Sequence, residues 1–129
     1  MATTRTQSES NITWDAAQTK AIPADGALVE SDDFQVSGDM IAIGGTVKGL
    51  SAGAESNDVL IVHCRVKKTT YDTSRTFRML LDCSSGSYEQ ESIFLPNVMA
   101  GDVIRFACSN TGTHAITVSI LITEDKITF

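Results

Sequence analysis

Apolar and polar residues alternate with a period of two along most of this chain. In the stretch 58–68, Leu60, Val62, Cys64 and Val66 share one side, with His63, Arg65 and Lys67 on the other. In 75–83 the apolar set is Phe77, Met79, Leu81 and Cys83; in 102–109 it is Ile104, Phe106 and Cys108. In 114–123 Ile116, Val118, Ile120 and Ile122 oppose Thr117, Ser119, Leu121 and Thr123. Successive side chains of a strand point to opposite faces, so each run reads as a strand with one buried and one outward face.

The pattern predicts strands near 27–30, 33–37, 39–48, 58–68, 75–82, 89–95, 102–109 and 114–123. The segments between them, such as "GLSAGAESN", "SSGS" and "SNTGTH", have turn compositions. No segment carries a convincing helical period. The expected fold is all-β: a jelly-roll-like antiparallel β-sandwich over 27–129, preceded by an extended N-terminal arm over 1–26 with at most one short edge strand at 10–20. The arm is polar, with Ile12 and Trp14 as its large apolar residues, and is expected to order only on assembly. In 39–48 the inner set is Ile41, Ile43 and Val47; Gly44-Gly45 marks a bulge or a close backbone approach. "ESDDF" places Glu30, Asp32 and Asp33 in a solvated acidic turn.

Leu95, Val98, Ala100, Gly101, Asp102, Val103, Ile104 and Phe106 lie in a turn-and-strand passage, "LPNVMAGD" leading into an apolar run. This passage resembles the entry to a late strand in compact jelly-roll domains: tumour-necrosis-factor and C1q-like modules and viral jelly rolls. Glycine supplies a positive φ there, and the aspartate can bond its own backbone. With the polar arm, acidic balance and small size, the chain looks like a capsid decoration, or cement, protein of a tailed bacteriophage. That resemblance implies a structural virion protein on the capsid surface, made in the host cytoplasm. It implies trimers that bridge subunits of the major capsid protein.

Composition narrows the chemistry. The 129 residues carry a net charge of −6, against a nucleic-acid binder that depends on a basic surface. No apolar stretch approaches the ~20 residues of a membrane helix, and the N-terminus lacks a secretory h-region. The three cysteines all fall on apolar strand faces. They are expected to be reduced and buried, a cross-sandwich disulfide being the alternative. His63 and His114 are placed in no HxH or HExxH spacing, and neither GxSxG nor GxxxxGK[ST] occurs. The chain is therefore read as a non-enzyme with no cofactor and no metal.

Two features point to partners. Five of ten basic residues lie between 65 and 78, and the strand period puts Arg65, Lys67 and Arg78 on one outward face, with Tyr71 at the hairpin tip. This stripe is either a solvated, aggregation-blocking face or a docking patch for an acidic surface. Trp14, with Ile12, either folds onto its own sandwich or anchors in a neighbour. The candidate partner-binding residues are thus Ile12, Trp14, Arg65, Lys67, Tyr71 and Arg78. The alternative function is a carbohydrate- or receptor-binding sandwich of a phage fibre, against which the 6% aromatic content counts.

Overall fold

The alternation is carried out by strands alone. A computed structural model describes residues 4–36, 40–53, 58–68, 74–85, 88–95 and 98–128. Among them run β1 (Thr4–Asn11), β2 (Lys20–Ile22), β3 (Val29–Glu30), β4 (Phe34–Gln35), β5 (Met40–Ser51), β6 (Val59–Lys67), β7 (Ser74–Asp82), β8 (Glu89–Leu95), β9 (Val103–Asn110) and β10 (Ile116–Thr128). The first sheet has the order β1-β10-β5-β8, with β2 also on β10; the second has β3-β9-β6-β7, with β4 also on β9. Every pairing is antiparallel. Each sheet interleaves early and late strands, as two Greek keys closing into a jelly roll do. The expected fold class is the observed one.

The inner faces are those the alternation assigns. Leu60, Val62, Cys64 and Val66 of β6 are buried against Ile116, Val118, Ile120 and Ile122 of β10, with Phe106 and Ile104 of β9 among them. Cys64, Cys83 and Cys108 are free thiols inside this core. Gly45 is a close approach: a Cβ there would sit 2.1 Å from the carbonyl oxygen of Leu121. The side chain of Ile41 lies outside the described residues.

The turn before β9 works as its sequence suggests. Gly101 has φ 88°. The buried Asp102 carboxylate accepts the Met99 N–H at 2.9 Å and the Lys68 ammonium at 2.5 Å. Its carbonyl receives the Val36 N–H at 2.9 Å.

Residues 4–22, expected as an arm, belong to the sandwich. β1 pairs with β10 from Thr4↔Thr128 to Asn11↔Leu121, and β2 pairs with β10 from Lys20↔Val118 to Ile22↔Ile116. The physical reason is the length of β10, whose edge would otherwise expose unpaired N–H and C=O groups. "ESDDF" is also more than a solvated turn. Asp32 accepts the Thr13 hydroxyl at 2.7 Å and the N–H groups of Asp15 and Ala16 at 3.3 and 3.2 Å. The Thr13 hydroxyl, then the Ala16 N–H, hold its carboxyl below the usual range. That bracing serves a bend in which Asp15 and Ala16 have φ 49° and 71°, outside the region L-residues favour.

Candidate functional site

The proposed contact residues separate into two groups. Ile12 and Trp14 are 1% and 2% exposed. The N–H of Ile12 donates to the Ile120 carbonyl at 2.8 Å, and Trp14 bridges to Ala17. Of the two alternatives for Trp14, folding onto its own sandwich is the one realised, so neither side chain is presented to a partner. Tyr71 lies outside the described residues. Arg65, Lys67 and Arg78 do share the outer face of the second sheet.

That face is ordered in cross-strand rows. Glu30, Ala107, His63 and Arg78 form one row; Arg105, Arg65 and Thr76 form the next; Gln35, Val103, Lys67 and Ser74 follow. Arg105 thus stands directly across from Arg65. Its Nε donates to Asp33 at 2.6 Å and its Nη1 to Glu30 at 3.3 Å. The Asp33 bond and charge, joined by Glu30, raise the guanidinium's pKa. Asp33, Arg65, Lys67, Val103 and Arg105 line a depression of about 270 Å³. A second, of about 170 Å³, shares Arg65 and Arg105 with it and adds Glu30, His63 and Thr76.

The outer face of the first sheet is of a different kind. Gln90 of β8, Lys48 of β5 and Ser119 of β10 form one row; Ser92, Thr46, Leu121 and Asn11 form the next. Tyr88, just before β8, is 69% exposed, and Phe94 at the far end of β8 is exposed as well. Tyr88 lines a depression of about 360 Å³ with Lys48, Gln90 and Ser119. A neighbouring one of about 360 Å³ shares those three polar residues and adds Asn11, Thr46 and Leu121. This surface was not singled out from sequence. Its signal was the alternation Tyr88, Gln90, Ser92, Phe94, which sends two aromatics to the solvent face of an edge strand.

A third constellation joins two loops. The buried Asp58 carboxylate accepts the Ser51 hydroxyl at 2.9 Å and the N–H groups of Thr113 and His114 at 2.9 and 3.2 Å. Nδ1 of His114 lies 2.9 Å from its Oδ2. The ring packs on Gly53, where a Cβ would lie 2.5 Å from Nε2. Ser51 bonds the aspartate and not the histidine, so the order of a nucleophile–base relay is absent from these contacts. The group clamps the loop after β5 to the β9–β10 loop. His114 is therefore a tied loop residue, not the start of the last strand as expected. Among the described residues no cluster of three or more His, Cys, Asp or Glu could hold a metal ion.

No protein-family model and no curated protein matches the chain. Solved structures do. The CBM22-1–GH10 modules of Clostridium thermocellum endo-1,4-beta-D-xylanase 10B, complexed with xylohexaose, match with TM-score 0.54 and 10% identity, over 90% of this chain and 26% of that one. This chain thus spans about a quarter of that structure. A xylan-binding module, CBM15, matches with TM-score 0.44 and 19% identity, over 91% and 84%. An infectious bursal disease virus structure, Gx strain, matches with TM-score 0.27 and 11% identity, over 98% and 42%. The first likeness is one of fold, the jelly-roll-like sandwich.

Proposed function

We propose that this domain is a glycan-binding β-sandwich module and that it binds through the outer face of its first sheet. The observation that carries the reading is Tyr88, an exposed ring beside an amide, an ammonium and a hydroxyl in one open depression. A sugar presents both an apolar C–H face and a rim of hydroxyls. The aromatic ring suits the first. Gln90 and Asn11 suit the second, because an amide both donates and accepts. An open trough along the rows admits a chain that enters and leaves, where a closed pocket would admit only an end.

The test is titration of ¹⁵N-labelled protein with xylohexaose, cellohexaose and mannohexaose, with affinity electrophoresis in soluble polysaccharides. Shifts confined to Tyr88, Lys48, Gln90, Ser119 and their neighbours support the reading. Shifts on the opposite sheet alone, or none with any glycan, would sink it.

The capsid-decoration reading, with a major capsid protein as partner and a trimer on the virion, is supported by the sandwich architecture it shares with viral jelly rolls. Of its proposed contacts, Ile12 and Trp14 are taken up by the core, Arg65, Lys67 and Arg78 of the basic hairpin are exposed, and Tyr71 lies outside the described residues. No specific surface feature favours it over glycan binding.

A further inference from the structure

The two depressions on the outer face of the first sheet meet at Lys48. Lys48, Gln90 and Ser119 line both, and they form one row with Lys48 in the middle. Lys48 is exposed and, among the described residues, pairs with no carboxylate. Antiparallel sheets favour opposite charges across a pair, and the chain has 16 acidic residues. None of them stands beside Lys48 on this face. Gln90 and Ser119 lie directly across, and Ser92, Thr117 and Leu121 diagonally. Glu89 and Glu91 alternate to the other side of β8. The acids of the outer face lie farther along it: Glu9 shares the row of Phe94, and Asp125, beyond that row, is held by Arg5.

We propose that the glycan bound on this face is acidic, with a carboxylate on one of its sugars held by Lys48. The inference rests on the glycan reading of the first sheet and names the ligand class. An ammonium is strongly hydrated. Covering it with a neutral sugar takes water from a charge and returns none of opposite sign. A carboxylate offsets that loss through a charge-assisted hydrogen bond. Its remaining lone pairs suit the Gln90 amide and the Ser119 hydroxyl, which stand on either side and can donate. Tyr88, in the same depression, is left to meet the C–H face of a ring. The acid can belong to a backbone sugar or to a branch, since Lys48 reads the same group in both.

The experiment titrates ¹⁵N-labelled protein with two matched pairs of ligands. One is mannohexaose and hexamannuronate, the same backbone with each C6 alcohol replaced by a carboxylate. The other is xylohexaose without and with one glucuronate branch. At least one acid is expected to bind about two- to fivefold more tightly than its neutral counterpart, the range of one exposed ion pair. Its shifts should centre on Lys48, Gln90 and Ser119. The pair that shows the gain tells a backbone acid from a branch acid. Lys48→Gln should abolish the gain and leave the neutral sugars bound at least as tightly, and Lys48→Arg should retain it. The gap between wild type and Lys48→Gln should narrow at high salt. Melting temperatures check that both variants are folded. Equal affinity for acid and neutral ligands, with shifts at Tyr88 and Gln90, would overturn the proposal and leave the glycan reading standing. Equal losses for both ligands in Lys48→Gln would make Lys48 a donor to hydroxyls and overturn it too. Poly-L-glutamate binding this face as tightly as hexamannuronate would assign it to an acidic protein and overturn the proposal. If no glycan shifts this face, both readings fall.

Discussion

Asp58 and His114, far apart in sequence, meet with Nδ1 of the ring 2.9 Å from Oδ2 of the carboxylate. Burial alone would raise the Asp58 carboxyl. The Thr113 N–H, the Ser51 hydroxyl and the His114 ring and N–H outweigh it and hold the group well below the usual carboxylate range. A depressed folded-state pKa gives stability that is complete above the unfolded value, about 3.9 for aspartate, and is lost as pH falls through the folded value. Asp32, Asp82 and Asp125 are lowered in the same sense. Urea midpoints should therefore hold level down to about pH 5 and fall steeply below pH 4. Asp58→Asn should be less stable near neutrality and should show a shallower acid slope. Identical slopes would mean that the clamp does not carry the pH dependence.

Trp14 is the single tryptophan, and it is buried. Its emission should be blue-shifted and protected from acrylamide in the free protein. Trp14→Ala should cost about 3–5 kcal/mol, a typical value for deleting a buried large side chain. Removal of residues 1–11 should also destabilise the domain, because it strips the β1 ladder from β10. A truncated protein as stable as the full chain would restore the view of this segment as a detachable arm.

The pairing of residues 4–11 into the sandwich leaves no trace in the apolar pattern, for a physical reason. "TRTQSESN" in β1 has no apolar residue and is almost wholly exposed. Its order comes from backbone pairing to an overlong β10, and periodicity cannot report that. Strands β6, β9 and β10 are legible because the alternation runs with burial: β6 and β9 bury one face along their length, and β10 does so from Ile116 to Glu124. The same criterion found the basic stripe, since Arg65, Lys67 and Arg78 had to face away from Val62, Cys64 and Phe77. It could not find the pairing of Arg65 with Arg105, which depends on the β6–β9 register. Nor could it find Asp58 and His114, which lie in loops whose approach is set by the closure of the sandwich.

Burial pushes the thiols of Cys64, Cys83 and Cys108 up to about 12, 11 and 12. Thiolate, the reacting form, is then scarce at neutral pH. Ellman's reagent should titrate all three slowly or not at all in the native protein, and all three at once in denaturant without reductant. A missing equivalent after denaturation would point to a disulfide.

Gly45 should tolerate no side chain. It is paired on both sides, to Ile122 of β10 and Ile93 of β8, and a Cβ would meet the Leu121 backbone, which cannot swing aside. Gly45→Ala should cost about 1–3 kcal/mol, as overpacking does. At Gly44 the nearest atom to a Cβ, the Ile93 oxygen, lies at 3.1 Å, so Gly44→Ala should be milder. Equal melting temperatures for the two variants would show that β5 can shift against β10.

The binding face of the first sheet makes a graded prediction. If Tyr88 acts as a platform for a sugar ring, the loss falls with the ring and not with its hydroxyl. Tyr88→Ala should weaken the best-binding hexasaccharide by roughly 2- to 12-fold, corresponding to about 0.5–1.5 kcal/mol for an aromatic contact. Tyr88→Phe should keep most of the affinity. Gln90 adjoins the same depression, and Gln90→Ala should cost about a further 0.5–1.5 kcal/mol through lost hydrogen bonds. Phe94 lies six residues along β8, roughly 20 Å away at strand rise. Phe94→Ala should therefore weaken a hexasaccharide and leave a disaccharide unaffected. All three side chains face solvent or a shallow depression, so thermal unfolding should move little. Isothermal titration of the four variants against long and short ligands reads the ranking directly. Unchanged affinity in Tyr88→Ala, with the fold intact, would remove this face from the binding role.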